Sequence, residues 1–228
     1  MNDSQACRER LDSGNVVAAS RPHRAIWCHD GMVSGGEFIH DRPEVAPGAL
    51  LIASTALSGE TFVRTVVYVI EHDEQGTLGV VLNRMSDAAV HNILPRWADL
   101  AASPRAVFVG GPVGTSSALC LGVAKAGVDV AKQPKLHQVL GPVAMVDLDA
   151  DPEEMATVLT GVRIFAGYAG WEAGQLDDEL AESSWIVAPG LPTDLLSEPS
   201  VDIWQRVLQR QPWPLPLLST YPLRPEDN

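Results

Sequence analysis

Residues Arg163 to Ala188 read RIFAGYAGWEAGQLDDELAESSWIVA, and the backbone this run adopts decides the architecture of the chain. Arg163-Ile164-Phe165-Ala166 reads as the end of a strand. Gly167, Gly170 and Gly174 then interrupt regular backbone around Tyr168 and Trp171, which predicts a glycine-punctuated aromatic loop. From Gln175 onward, Leu176 and Leu180 fall on one helical face. Asp177, Asp178 and Glu179 crowd the first turn, where carboxylates meet unpaired N–H groups and the positive end of the helix dipole. Ser183-Ser184 ends that helix, and Trp185-Ile186-Val187-Ala188 reads as a short strand closed by Pro189-Gly190. Two tryptophans thus bracket a helix. Large aromatics bury apolar area wherever they pack, so two roles stay open: both wedge the helix against a sheet, or Trp171 lines a pocket with Gln175 and Glu172.

Upstream, Pro47-Gly48 opens the compact region. Ala49–Ala53 is a predicted first strand, and Thr65-Val66-Val67-Tyr68-Val69-Ile70 is the strongest strand signal in the chain, a β-branched run with the continuity of a central strand buried on both faces. The polar turn Glu71–Gly76 leads into a strand over residues 78–83 and gathers ionisable groups. Within it His72 can be a general base oriented by Asp73 or Glu71, or a structural ring bonded to turn backbone. No Ser or Cys stands in a nucleophile-elbow setting to complete a triad with it.

Residues 88–94 predict a short helix capped by Ser86 or Asp87 and ended by Pro95, and Ala106–Val109 predicts a buried strand. Gly110-Gly111-Pro112 follows at once. Two glycines before a proline permit either a constrained turn or backbone N–H groups turned toward an anion. The run lacks both the Lys-Ser/Thr ending of a phosphate loop and the spacing of a dinucleotide fingerprint. Residues 118–123 predict a strand with Cys120 as a packed apolar residue, and Lys125, Lys132 and Lys135 fall in a solvated loop. Pro142–Val146 predicts a short edge strand. A helix follows, capped by Asp151 with Pro152 at its first position and ended by Gly161. Between Arg163 and Arg206 there are acidic residues and no basic one, the pattern of a solvated face, and a last helix over 201–208 is anchored by Trp204.

The organisation expected from these signals is a flexible arm over residues 1–45, one domain over 46–211 and a proline-rich tail over 212–228. Strands alternate with short helices, and several connections are too short to hold a crossover helix, which predicts a mixed α/β or α+β domain. With 16 basic and 29 acidic residues, the formal charge of -13 and pI of about 4.7 argue against direct nucleic-acid binding, which is driven by neutralising phosphates. Cys7, Cys28 and Cys120 form no disulfide framework. His23, Cys28, His29 and His40 lack the paired spacing of a zinc knuckle, so neither a metal nor a cofactor is expected. Reduced thiols, no apolar targeting core and no apolar run long enough to cross a bilayer predict a soluble cytoplasmic chain without membrane insertion.

Several separated blocks share an order that resembles the YqgE/AlgH family. They are Pro47–Ala53, Phe62 with Arg64–Tyr68, Glu71-His72-Asp73, Gly79–Arg84, Gly110-Gly111-Pro112, Gly167–Trp171 with Gly174-Gln175-Leu176 and Glu179, and finally Trp185. The resemblance implies a bacterial protein of a family without an established molecular function, built on a bent, partly barrel-like sheet packed by short helices. One branch carries a transcription-regulator label, but this chain has no helix-turn-helix pattern or basic enrichment to go with it. Met85 stands where the family commonly has proline after the Asn-basic pair. Polar or glycine-rich residues at several predicted strand ends point to a cleft formed by His72, Asn83, Gly110, Gly111, Pro112, Trp171 and Gln175. Its expected use is binding of a small molecule or protein in a regulatory module. The alternative is a hydrolase-like enzyme using His72 with a nearby carboxylate, and a homodimer stays open on the general frequency of symmetric assemblies.

Overall fold

The computed structural model describes residues 44–57, 62–198 and 202–221. The expected arm, with Cys7, His23, Cys28, His29 and His40, lies outside the described residues except for its last positions.

A ten-stranded curled sheet forms the body, in the order Trp185–Pro189 (β10), Ala49–Ala53 (β1), Val66–Asp73 (β2), Gly76–Val81 (β3), Leu159–Glu172 (β9), Val113–Ala124 (β6), Val143–Val146 (β8) and Leu136–Leu140 (β7), with Ala106–Val109 (β5) and Met85–Ala89 (β4) branching from β9. β1 (Ala49–Ala53) and the first five residues of β2 (Val66–Asp73) are buried because continuous apolar runs leave no face for water, and β2 lies in the interior of the sheet as its sequence requires. β3 (Gly76–Val81) returns antiparallel to β2 through the polar turn, with a bulge between Val69 and Glu71. β10 (Trp185–Pro189) closes that side against β1.

The stretch that decides the fold departs from its expected form. Leu159–Glu172 is one long strand, β9, in place of a strand end followed by an aromatic loop. Its first half lies between β6 (Val113–Ala124) and the parallel β5 (Ala106–Val109), and its second half pairs with β3, so one strand belongs to both halves of the sheet. The bend is at Gly167, with φ of 69°. There a side chain would collide with the carbonyls of Val113 and Gly111, at 2.7 and 2.8 Å. Glycine therefore serves a close crossing of two backbones inside a continuous strand, which periodicity alone cannot distinguish from a loop.

The second half of the sheet continues through β8 (Val143–Val146) to β7 (Leu136–Leu140). β8 is an inner strand and β7 the edge, which corrects the edge position expected from Pro142; that proline precedes the strand and removes no ladder donor from it. The predicted helix over 88–94 is also replaced in part. β4 (Met85–Ala89) pairs with β5, Ser86 Oγ donates to Val107 O at 2.7 Å, and only α1 (Val90–Ile93) is helical, with no side-chain cap. Ser86 donates its hydroxyl to the neighbouring strand and accepts from Ala88 N at 3.2 Å within β4, so it caps no helix. α2 (Pro152–Val158) forms as its sequence signals, with Asp151 Oδ1 accepting from Glu153 N at 3.1 Å, but it stops before Gly161 because Leu159 already joins β9.

Three apolar clusters result. The central one draws on both halves of the sheet and on α5 (Ile203–Gln209), whose Trp204 is buried and donates Nε1–H to Ala53 O at 2.8 Å. The other two flank it. One packs Val90, Trp97 and Met155 against the second half, with Cys120 inside, where burial pushes the thiol pKa up. The other packs α3 (Gln175–Ala181) on the first half through Leu176, Trp171 and Trp185.

The acidic segment is not wholly a solvated face. Asp194, on α4 (Pro192–Leu195), is 1% exposed. Its carboxylate accepts from both terminal nitrogens of Arg210 at 2.8 and 2.6 Å, from Arg206 at 3.2 Å and from Leu191 N at 2.9 Å. The basic partners arrive from beyond the acidic run, so no local charge count could reveal them.

Candidate functional site

The flanking cluster under α3 carries the chemistry-bearing residues. Adjacent antiparallel strands place directly opposed side chains on one face. His72 faces Thr77 across β2 and β3, and Thr77 faces Trp171 across β3 and β9. His72 Nδ1 and Thr77 Oγ1 are 2.7 Å apart. Thr77 is buried and His72 half-buried at the rim.

The centre of this face is a carboxylate. Glu179 Oε2 accepts from the indole N–H of Trp171 at 2.9 Å and of Trp185 at 2.7 Å, while Oε1 accepts from Gln175 Nε2 at 3.0 Å. Gln175 Oε1 in turn accepts from Glu172 N at 3.1 Å. Charge-assisted bonds of this kind are about twice as strong as neutral ones, and here they join β9, β10 and α3 at one point. Gln175 and Glu179 are four apart, so the same helical turn presents both toward the sheet. Phe62 completes the group. Its ring lies 5.6 Å from Trp185, edge-on at 77°, and 6.5 Å from Trp171, while the two indoles meet at 5.8 Å and 82°.

Phe62 is held by a turn that Asn83 and Arg84 grip from the far end of β3. Asn83 Nδ2 donates to Arg64 O at 2.7 Å, its Oδ1 accepts from Val66 N at 3.1 Å, and Arg84 Nη2 donates to Val63 O at 3.0 Å. Arg64 has φ of 54°, a left-handed conformation that a non-glycine residue keeps only when its surroundings over-determine it. Its guanidinium stacks 4.1 Å over Trp204 and pairs with Asp202 at 2.6 Å.

The structure thus gathers His72, Trp171 and Gln175 on one face through Thr77 and Glu179, and ties Asn83 to that face through the Phe62 turn. Gly110, Gly111 and Pro112 sit at the junction of β3, β5 and β9. Gly110 N donates to Ala166 O at 2.9 Å and Gly110 O accepts from Val81 N at 2.8 Å. A side chain on Gly110 would meet Gly167 O, and one on Gly111 would meet the Tyr168 backbone, each at 2.2 Å. The glycines are packed against backbone, which matches the constrained-turn role, and Gly110 has no amide left for an anion.

Sequence reasoning passed over Thr77, Phe62 and Trp185 as site residues and took Glu179 for a dipole-compensating surface acid. For Glu179 a signal existed, since its position three beyond Leu176 and four beyond Gln175 turns it inward. Phe62 carried no local signal beyond its place in the family blocks, because its placement depends on a turn closed by residues about twenty positions away.

Residues 50–216 match the family model described as AlgH-like, DUF179. A UPF0301 protein of Mycolicibacterium gilvum is 55% identical over 179 residues, covering 78% of this chain and 88% of that protein. A UPF0301 protein of Mycobacterium tuberculosis is 52% identical over 193 residues, covering 81% and 96%. Among solved structures, protein DIP2367 of Corynebacterium diphtheriae superposes with a TM-score of 0.77 at 44% identity, over 79% of this chain and 94% of that one. The AlgH protein of Pseudomonas aeruginosa does so with a TM-score of 0.58 at 28% identity, over 84% and 98%. A shared order of blocks, a curled sheet threaded by one long strand and a match over most of its length together make this chain a member of the AlgH-like UPF0301 family.

Proposed function

We propose that this chain works by recognition and not by turnover, as a regulatory binding module whose contact face is the rim formed by His72, Gln175 and Phe62 over the Trp171–Trp185–Glu179 base. The observation that carries this reading is the convergence of three N–H donors on Glu179. A carboxylate so occupied is a poor general base and a good fixed element of shape. Rigid aromatics with a satisfied polar frame and a half-exposed rim are what a recognition surface needs. His72 supports the same reading. Its Nδ1 meets a threonine hydroxyl, whereas the hydrolase alternative needs a carboxylate there to orient the ring. The acidic balance of the chain favours a small molecule or a protein as ligand over a nucleic acid.

The test is to follow the indole N–H signals of Trp171 and Trp185 by NMR while fractionated bacterial extract is added to the full chain. A ligand of this face shifts both signals in the wild type and fails to do so in Gln175→Ala. Response confined to residues of the second half of the sheet would move the site elsewhere. Turnover of an ester or phosphoester panel that is abolished in His72→Ala would replace recognition by catalysis.

A further inference from the structure

The sheet keeps a bare edge beside the point where the described chain begins. β7 ends the strand path and pairs only with β8 among the described residues. Lys135 O accepts from Asp147 N at 3.0 Å, and alternation from that bond turns the backbone of His137 toward β8 and that of Leu136 and Gln138 away from it. Leu136 N is bonded to Gln133 O at 3.2 Å, which leaves the Gln138 N–H and C=O without a backbone partner among the described residues. His137 and Gln138 are exposed. Leu140, at the end of the strand, is 54% exposed, yet one side of it lies against Gly48, where an added Cβ would collide with the Leu140 side chain. An edge with unpaired backbone groups and a large exposed apolar residue is a template for one more strand.

The start of the described chain points to what fills it. Glu44 is the first described residue and stands four positions before Gly48, so it lies within about 14 Å of the glycine that touches Leu140. Residues 1–43 lie outside the described residues, and their sequence holds a run suited to the edge close to that point. Glu37-Phe38-Ile39-His40-Asp41 follows Gly35-Gly36 and is closed by Arg42-Pro43. The run has five residues, as β7 has, with an aromatic and a β-branched residue at its centre. Only about 11 Å of extended chain separates Asp41 from Glu44. This tether also sets the direction. The run is tied to Gly48 by its C-terminal end, and Gly48 touches the C-terminal residue of β7, so a segment laid along β7 from that point runs parallel to it.

We propose that residues 37–41 of this same chain pair with β7 as a parallel eleventh strand, with Phe38-Ile39 covering Leu140. The segment then shields the edge, and any other strand that pairs with β7 must first displace it. The surface involves none of His72, Gln175 and Phe62, so it stands or falls apart from the recognition face.

The experiment uses the isotope-labelled full chain, reading nuclear Overhauser contacts and amide hydrogen exchange by NMR. Contacts are expected from the Phe38 ring or the Ile39 methyls to the Leu140 methyls. In the variant carrying Phe38→Asp and Ile39→Asp, the Gln138 N–H should exchange about tenfold faster or more, with the amides of β2 unchanged. Leu140→Ser, at an exposed position, should likewise remove the contacts between residues 37–41 and the Gln138 amide. A mixture of labelled and unlabelled protein separates the chain's own segment from that of a second copy. Contacts that cross from labelled to unlabelled chains overturn the proposal in favour of a strand-exchanged dimer. It is also overturned if residues 37–41 show no contact with β7 and Gln138 exchanges alike in the wild type and the Phe38/Ile39 variant.

Discussion

Two buried charges are partnered in opposite ways. Asp194 is surrounded: two arginines and a backbone N–H saturate its oxygens, and Arg210 also reaches Pro189 O at 3.0 Å, so the carboxylate ties α4 and α5 to the end of β10. Arg163 is comparably buried, yet it has one carbonyl, one ring face and an orphan donor. The first arrangement is a complete network, in which each charge is desolvated against a partner that replaces water. The second is incomplete, and incompleteness in a close-packed interior is informative because a hydrophobic residue of similar volume would fill the place at lower cost. The difference teaches that burial of a charge does not by itself mark stability or function; the state of its partners does.

The comparison breaks most readily at Asp194. Asp194→Ala leaves two arginines facing an emptied buried site and should cost about 3 kcal/mol or more in urea unfolding, with loss of the packing of α5. Glu179 lies between the two cases, as a half-buried carboxylate saturated by donors. Glu179→Ala strands two indole N–H groups and should cost about 1–3 kcal/mol, accompanied by a change in tryptophan emission, while Glu179→Gln recovers part of it through the amide oxygen.

A pH effect sharpens the Asp194 corner further. Burial and then the charge of Asp194 push the Tyr68 pKa up from 10.0 to about 12. Between those values the unfolded chain has released a proton that the folded chain keeps, so stability falls as pH rises through that window, by up to about 1.4 kcal/mol per pH unit. Tyr68→Phe should flatten that alkaline slope in pH-dependent melting, and a slope unchanged by the substitution would mean that Tyr68 does not sense its surroundings. The smallest effect is expected at Arg163. Arg163→Met should lie within about 1 kcal/mol of the wild type or above it, because methionine packs where the guanidinium was poorly partnered. A large loss there would show that Arg163 is held as firmly as Asp194 and would remove the contrast.

Much of the fold was legible because local signals agreed with the tertiary outcome. The β-branched run of β2, the Asp151-Pro152 start of α2, the Leu176/Leu180 spacing of α3 and the anchoring of α5 by Trp204 each rest on periodicity or capping that neighbouring residues suffice to set. The failures share one cause. Gly167 interrupts the pattern of a strand that is nonetheless continuous, because the glycine answers the backbone of Gly111 and Val113 across the sheet. Ser86 looked like a cap until β5 supplied Val107 O. Asp194 looked solvated until Arg206 and Arg210 returned from the next helix.

The candidate face shows the same division. His72, Trp171 and Gln175 were singled out by residue type at predicted strand and helix ends, but their connection through Thr77 and Glu179 depends on register between β2, β3 and β9. Sequence alone determined the family, the mixture of strands with short helices, and the net acidic charge, because these follow from composition, local periodicity and the order of motifs. Tertiary structure alone decided that β9 serves both halves of the sheet, that Glu179 is enclosed by donors, and that Arg163 is buried without a carboxylate. Each of these depends on which distant groups meet once the sheet has curled, and pairing across a sheet is set by long-range register that no single segment encodes.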